Sequence, residues 1–443
     1  MSKYRFNITD YHAIKEADIL IDGITVLAGP NGSGKSTISR WLYYVIDVAT
    51  KFDYYLNKGF CDELHDKLFV LKRILREMWG TPHFLNANVI MPDIDAYMSN
   101  DLQASNSIED IAEKFKVVIS KFVVELDEFL QANDVLEQRK SRVLNYLQKI
   151  LGDTDGNITP KSFETKIFNE IDMMVEYLKN KQSTRSIKDA CGFISDYLRE
   201  EDRVPQYMQL SEDGVGIIND EIIGTLLGVD RAVYIDTPMA LDTDALARNV
   251  FLQRLHEFMV RPLEMRSDKS KSLLLRISRL LNGSIVEQDD LFENKKLVYE
   301  RKSDHLRLPL EKIATGMKTF AYLFQLIKNG YLDDRTILMI DEPEVHLHPQ
   351  WIVEYARLLV LIHKMLGTKL ILASHDPDFI SAIKAIAKRE GVIDETHFYL
   401  SSNEGMECSN QYVFKHLGQN IEEIFDSFNI ALDRIQQYGD TDF

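Results

Sequence analysis

Gly29-Pro30-Asn31-Gly32-Ser33-Gly34-Lys35-Ser36 places a glycine, four residues and then Gly-Lys-Ser in a spacing suited to holding a phosphate chain. Glycines let successive backbone N–H groups curl around a β-phosphate where side chains would obstruct it. Lys35 would bring a point charge to the β- and γ-phosphates, and Ser36, followed by Thr37, a hydroxyl to Mg2+. A helix starting at Lys35 would add its positive end. A bare structural loop is the alternative. The flanks favour the chemistry: Ile24 to Ala28 is an apolar strand, and Ile38, Trp41, Leu42 and Val45 fall on one helical face.

Three further segments could act with that loop. Ile337-Leu338-Met339-Ile340-Asp341-Glu342-Pro343 is a buried-type strand ending in two carboxylates. The ends of such strands line the crevice where α/β proteins bind ligands. Asp341 is suited to holding Mg2+ through its water, and Glu342 to positioning or deprotonating an attacking water. Alone, the pair would read as a solvated turn. Ile371-Leu372-Ala373-Ser374-His375-Asp376 ends similarly, and His375 could reach a γ-phosphate, although a lone histidine there is more often a surface residue. Ile313-Ala314-Thr315-Gly316-Met317-Lys318 in isolation is a helix N-terminus with a glycine.

The elements that must position these groups alternate in the pattern of a mixed or parallel α/β sheet. Tyr4, Phe6 and Ile8 share a strand face, with a turn expected at Thr9-Asp10-Tyr11. Residues 50–205 are almost wholly helical in pattern, as in Ile108, Ile111, Phe115, Val118 and Phe122, with a cap at Thr159-Pro160. They lack coiled-coil heptads and imply an inserted helical lobe at 51–204, splitting a head of 1–50 and 205–443. Then come a strand at Ala232 to Ile235, a long helical stretch to about Leu281, a hairpin (Ser284 to Glu287, Lys296 to Arg301) and strands at Thr336 to Ile340 and Lys369 to Ala373.

With these four segments in this order, the chain resembles the ABC ATPases, and within them the RecF, SMC and OLD-type branch rather than transporter subunits. The resemblance covers residues 1 to about 45 and about 285 to 385. It implies a P-loop NTPase head that binds ATP and Mg2+. In that family the segment matching Ile313 to Lys318 closes over the ATP of a second subunit, so Thr315, Gly316 and Lys318 are expected at the nucleotide of a head-to-tail homodimer. Ala314 and Thr315 stand where a serine is usual, which suggests slow hydrolysis. Glu344-Val345-His346-Leu347-His348-Pro349 is similar to the OLD and RecF-like version. In that family a glutamine at the lobe junction senses magnesium; here it is not identified, and Gln206 and Gln209 are the candidates.

Composition narrows the function. The chain has 443 residues, 45% apolar, with a formal charge of -17. Such a surface does not attract nucleic acid as a whole, though a local basic groove could. Arg261, Arg266, Lys269, Lys271, Arg276 and Arg279 form a basic stretch, with a smaller cluster at Lys67, Lys72, Arg73 and Arg76; both also suit a solvated face. Cys61, Cys191 and Cys408 are odd in number and far apart, which fits packing residues in a reducing compartment. No apolar run is long enough to span a membrane, so a cytoplasmic protein without a membrane partner is expected. Zinc at His346 and His348 lacks a third ligand. A calcium-like run at Asp153 to Asn157 has Ile158 where the turn needs glycine. An amphipathic helix is expected from Leu417 to Tyr438.

The reading that combines these features is an ATP-driven switch, whose head closure controls a separately encoded effector, a nuclease or toxin, in antiphage defence. No nuclease constellation stands in this chain. The alternative is a repair or chromosome-maintenance ATPase that clamps DNA directly through the basic stretch.

Overall fold

The computed structural model describes residues 2–78, 90–98, 106–133, 135–151, 158–195, 203–219, 221–236, 250–263, 269–289, 295–403 and 411–426. The chain divides into two compact units: Met1–Thr50 with Ile194–Phe443, and Lys51–Phe193. The second unit ends at Phe193.

The first unit begins with β1 (Tyr4–Tyr11), β2 (Ile14–Ile21) and β3 (Ile24–Ala28), and α1 (Lys35–Met78) starts in it. After the lobe come β4 (Tyr207–Glu212), β5 (Val215–Ile218) and β6 (Arg231–Ile235). Among the described residues ten strands form one sheet, which also takes in β10 (Thr336–Asp341), β11 (Lys369–Ser374), β12 (Thr396–Ser402) and β13 (Tyr412–Gly418). Its order is β5-β4-β1-β2-β13-β12-β3-β11-β10-β6. From β12 to β6 neighbouring strands are parallel. All residues of β3, β10 and β11 are buried, as expected of a parallel sheet covered on both faces. The fold is therefore α/β, a mixed sheet whose parallel half follows the P-loop NTPase pattern.

Three expectations are corrected. β1 runs through Thr9 to Tyr11, because Thr9 is paired on both sides, with Glu16 and Tyr207; the turn lies at His12 and Ala13. The long helix expected to Leu281 is interrupted after Val260. Pro262 follows the first piece, and the described parts are α7 (Val250–Val260) and α8 (Ser270–Leu280). The hairpin of β7 (Gly283–Asp289) and β8 (Lys295–Arg301) gains a third strand, β9 (Arg307–Pro309).

The second unit contains the distal part of α1 with α2 (Ile90–Met98), α3 (Ile108–Gln131), α4 (Glu137–Leu151), α5 (Pro160–Thr184) and most of α6 (Ile187–Ser195). Helical phase explains its core: Phe115, Phe122 and Phe129 of α3 recur every seven residues and are fully buried with Phe163 of α5. Thr159 and Ser162 cap α5 reciprocally, side chain to backbone, with Pro160 in the first turn.

Candidate functional site

β3 delivers the chain to the glycine loop, and Ile38 N–H closes the first turn of α1 on the Gly34 carbonyl at 3.0 Å. A cavity of about 180 Å³ is lined by loop residues 31–37 together with Ala13, Glu342 and Ala373. Gly34 sits at φ 97°, in the left-handed region, and a Cβ there would lie 2.7 Å from the Ile14 side chain. The β1–β2 turn and the phosphate loop are therefore packed too closely for any other residue at this position.

The electrostatics suit an anion. Lys35 is buried, and its Nζ donates to the Gly29 and Pro30 carbonyls at 2.8 Å each. Burial lowers the Lys35 pKa, while the carboxylates of Glu342, Asp341 and Glu344 pull it upward. Ser33 Oγ is buried without a hydrogen-bond partner. An ammonium among backbone donors, opposite carboxylates, is a donor set that fits a phosphate chain with its divalent cation. Ser36 stands close enough to Asp341 to lower its pKa, so the two expected cation ligands meet. Asp341 is buried, which raises its pKa against the hydrogen bond from Tyr234 and the nearness of Ser36.

Glu342 continues from β10, its N–H donating to the Ala373 carbonyl at 2.8 Å, but its φ is 48°. A non-glycine residue in that region stores strain, of the kind found where a side chain is aimed at a site. Glu342 is one of the residues lining the cavity. His375 stands beside it, with Nδ1 4.0 Å from Glu342 Oε1 and 3.3 Å from Glu344 Oε1. Glu344 Oε1 also accepts the His375 backbone N–H at 3.0 Å. Glu344 is thus a buried carboxylate that ties the end of β10 to the end of β11; burial raises its pKa, and the His375 N–H opposes that.

Thr315, Gly316 and Lys318 are not among the residues lining this cavity. They open α9 (Thr315–Lys328), whose N-cap, Ala314, makes no side-chain hydrogen bond. A Cβ on Gly316 would lie 2.8 Å from the His346 carbonyl oxygen, so glycine lets this helix start pack on the segment that follows Glu344. Gln209 is an exposed residue of β4 and Gln206 precedes that strand; neither lines the cavity.

Sequence reasoning missed Ala13, Glu344, Arg40, Tyr234 and Asp236. Asp236, directly after β6, carries the same signal that identified Asp341, a polar residue ending an apolar strand. Among the described residues no three His, Cys, Asp or Glu side chains gather to hold a metal ion, and no helix is long and apolar enough to cross a membrane. The calcium-like run, Cys408 and Arg266 lie outside the described residues. In the basic cluster on α1, Lys67 pairs with Glu170, Lys72 pairs with Asp95, and Arg73 stacks on Tyr146. At the C-terminal end Leu417 belongs to β13, residues 422–426 are helical, and the remainder of the expected helix lies outside the described residues.

Residues 230–381 match the family model described as "AAA domain, putative AbiEii toxin, Type IV TA system". That span contains the Thr315-Gly316, Asp341-Glu342 and His375 segments. None of the curated proteins compared with the chain matches it. Among solved structures, an Smc head domain with an extended coiled coil from Pyrococcus furiosus, bound to the C-terminal domain of ScpA, is 10% identical with a TM-score of 0.35, covering 98% of this chain and 100% of that one. The SMC head domain from Thermotoga maritima is 9% identical with a TM-score of 0.33, covering 94% of this chain and 99% of that one. At those scores the fold stands on this chain's own strand order and phosphate loop. Strand order and phosphate loop give the first unit the P-loop NTPase fold, and residues 230–381 within it are similar to the AAA-domain family.

Gly34→Ala imposes both strain and a clash with Ile14, together costing about 1–3 kcal/mol. A fluorescent ATP analogue should bind it about five- to a hundredfold more weakly, since 1.4 kcal/mol is a factor of ten.

Proposed function

We propose that this ABC-type head binds ATP with Mg2+, hydrolyses it slowly, and closes on a second copy of itself to switch a partner protein. One observation carries the reading. Glu342 and the phosphate loop share one cavity, while the Thr315-Gly316 helix start, the segment the resemblance assigns to nucleotide, lies outside that cavity on the same unit. A nucleotide in the cavity would thus be contacted on one side only. A second copy, head to tail, would supply the other side through Thr315, Gly316 and Lys318, where the helix start offers backbone N–H groups to phosphate oxygens.

In this reading residues 31–37 cradle the phosphates, and Lys35 neutralises charge on the β- and γ-phosphates. Ser36 and Asp341 would hold Mg2+, which supplies charge stabilisation to the phosphoryl oxygens. Glu342 orients a water on the γ-phosphate and takes its proton; His375, anchored through Glu344, lines the same reacting group. Closure would act on a separately encoded effector, such as a nuclease or toxin in antiphage defence.

Lys35→Ala is expected to abolish ATP binding by calorimetry. Glu342→Gln should bind ATP and lose hydrolysis, with its mass by light scattering doubling when ATP is added. Hydrolysis by Glu342→Gln at the parental rate contradicts the role given to Glu342.

A second reading, direct DNA clamping, is favoured by one surface. Lys269, Lys271 and Arg279, at and along α8, are exposed in a chain of net charge -17. Replacing all three with glutamate and measuring DNA affinity across salt concentrations separates the readings. The switch reading expects no change; a flatter salt slope with weaker binding supports the clamp.

A further inference from the structure

We propose that Tyr234 is a positioning residue for the cation-binding carboxylate: its hydroxyl, itself gripped by Arg40, locks Asp341 in the rotamer that meets Ser36. This rests on the reading of Asp341 and Ser36 as the Mg2+ ligands.

The geometry comes from the sheet. β6 and β10 are parallel with Tyr234 opposite Met339, which lets the tyrosine hydroxyl reach forward to Asp341. Tyr234 is 2% exposed, and its Oη donates to Asp341 Oδ2 at 2.6 Å. Arg40, one turn beyond the phosphate loop on α1, donates from Nε to the Tyr234 oxygen at 3.2 Å. Its Nη2 lies 3.3 Å from Asp236 Oδ2, just past the end of β6.

Donor inventory fixes the polarity of this chain. A guanidinium only donates, so the tyrosine oxygen accepts from Arg40, and its single proton is left for the carboxylate. The ring has no freedom to swing away: Phe251 packs on it at 4.6 Å between centroids and Tyr43 at 6.1 Å. With Oδ2 committed to Tyr234, the carboxylate is oriented, the way groups behind metal ligands orient them. Asp236 and Arg40 extend the chain to partly exposed positions, so the orientation of Asp341 is connected to the sheet edge at β6.

Tyr234→Phe removes the hydroxyl and keeps the ring packing. The full chain is titrated with a non-hydrolysable ATP analogue in EDTA, then the analogue-bound protein with Mn2+ followed by electron paramagnetic resonance. Expected are analogue affinity without metal within about twofold of parental and Mn2+ affinity weakened about 10-fold or more, the usual scale for losing a group behind a metal ligand. Arg40→Gln should shift Mn2+ affinity in the same direction by less. Unchanged Mn2+ affinity in Tyr234→Phe overturns the proposal, as does an equal loss of metal-free analogue binding, which marks a merely structural tyrosine. A parental protein that takes up no Mn2+ with the analogue overturns the cation-site reading itself, and this inference with it.

Discussion

Parallel, in-register pairing of β3, β11, β10 and β6 is the constraint on which the site depends. Ala28 lies opposite Ser374, and Ala373 opposite Asp341, so the strands end level and their next residues emerge side by side. The phosphate loop, the Asp341-Glu342 pair, His375 and Asp236 are thus brought together by backbone hydrogen bonding before any of their side chains interact. A slip of register in β10 would turn Asp341 to the other face and separate it from Ser36.

The second requirement is that the buried charges compensate one another. Lys35, Asp341 and Glu344 are all nearly inaccessible, and a lone buried charge would instead shift to its neutral form. The ammonium is held by the Gly29 and Pro30 carbonyls, Asp341 by Tyr234 and Ser36, and Glu344 by the His375 backbone N–H. The strained Glu342 backbone is then sustained by the fully buried strand on which it sits.

Much of this was legible in the residues. The phosphate loop follows from composition and spacing, because glycines at fixed offsets and a following lysine have few other uses. The parallel strands follow from continuous apolar runs ending in polar residues, and the α3 and α5 core from helical phase. What failed did so for identifiable reasons. Thr9 is turn-like by residue type, yet it is paired on both sides, with Glu16 and Tyr207, which local residue types do not reveal. Glu344 and Tyr234 were passed over because their importance lies in partners 31 and 107 positions away, which no local pattern encodes. Gln206 and Gln209 stand just before and on β4, five strands from β3 in the sheet, a separation that no local pattern encodes.

In the proposed switch, a working site needs the phosphate loop of one copy and the Thr315-Gly316 helix start of another. Lys35→Ala disables the first, and Thr315→Asp, which places an acid where a helix start tolerates it but phosphate does not, disables the second. The decisive measurement is ATP hydrolysis by each variant alone and by their equimolar mixture. Two inactive variants that regain activity when mixed are the predicted result, since one intact composite site forms per mixed pair. A Thr315→Asp protein that hydrolyses ATP normally by itself, or a mixture as inactive as its components, would contradict the account.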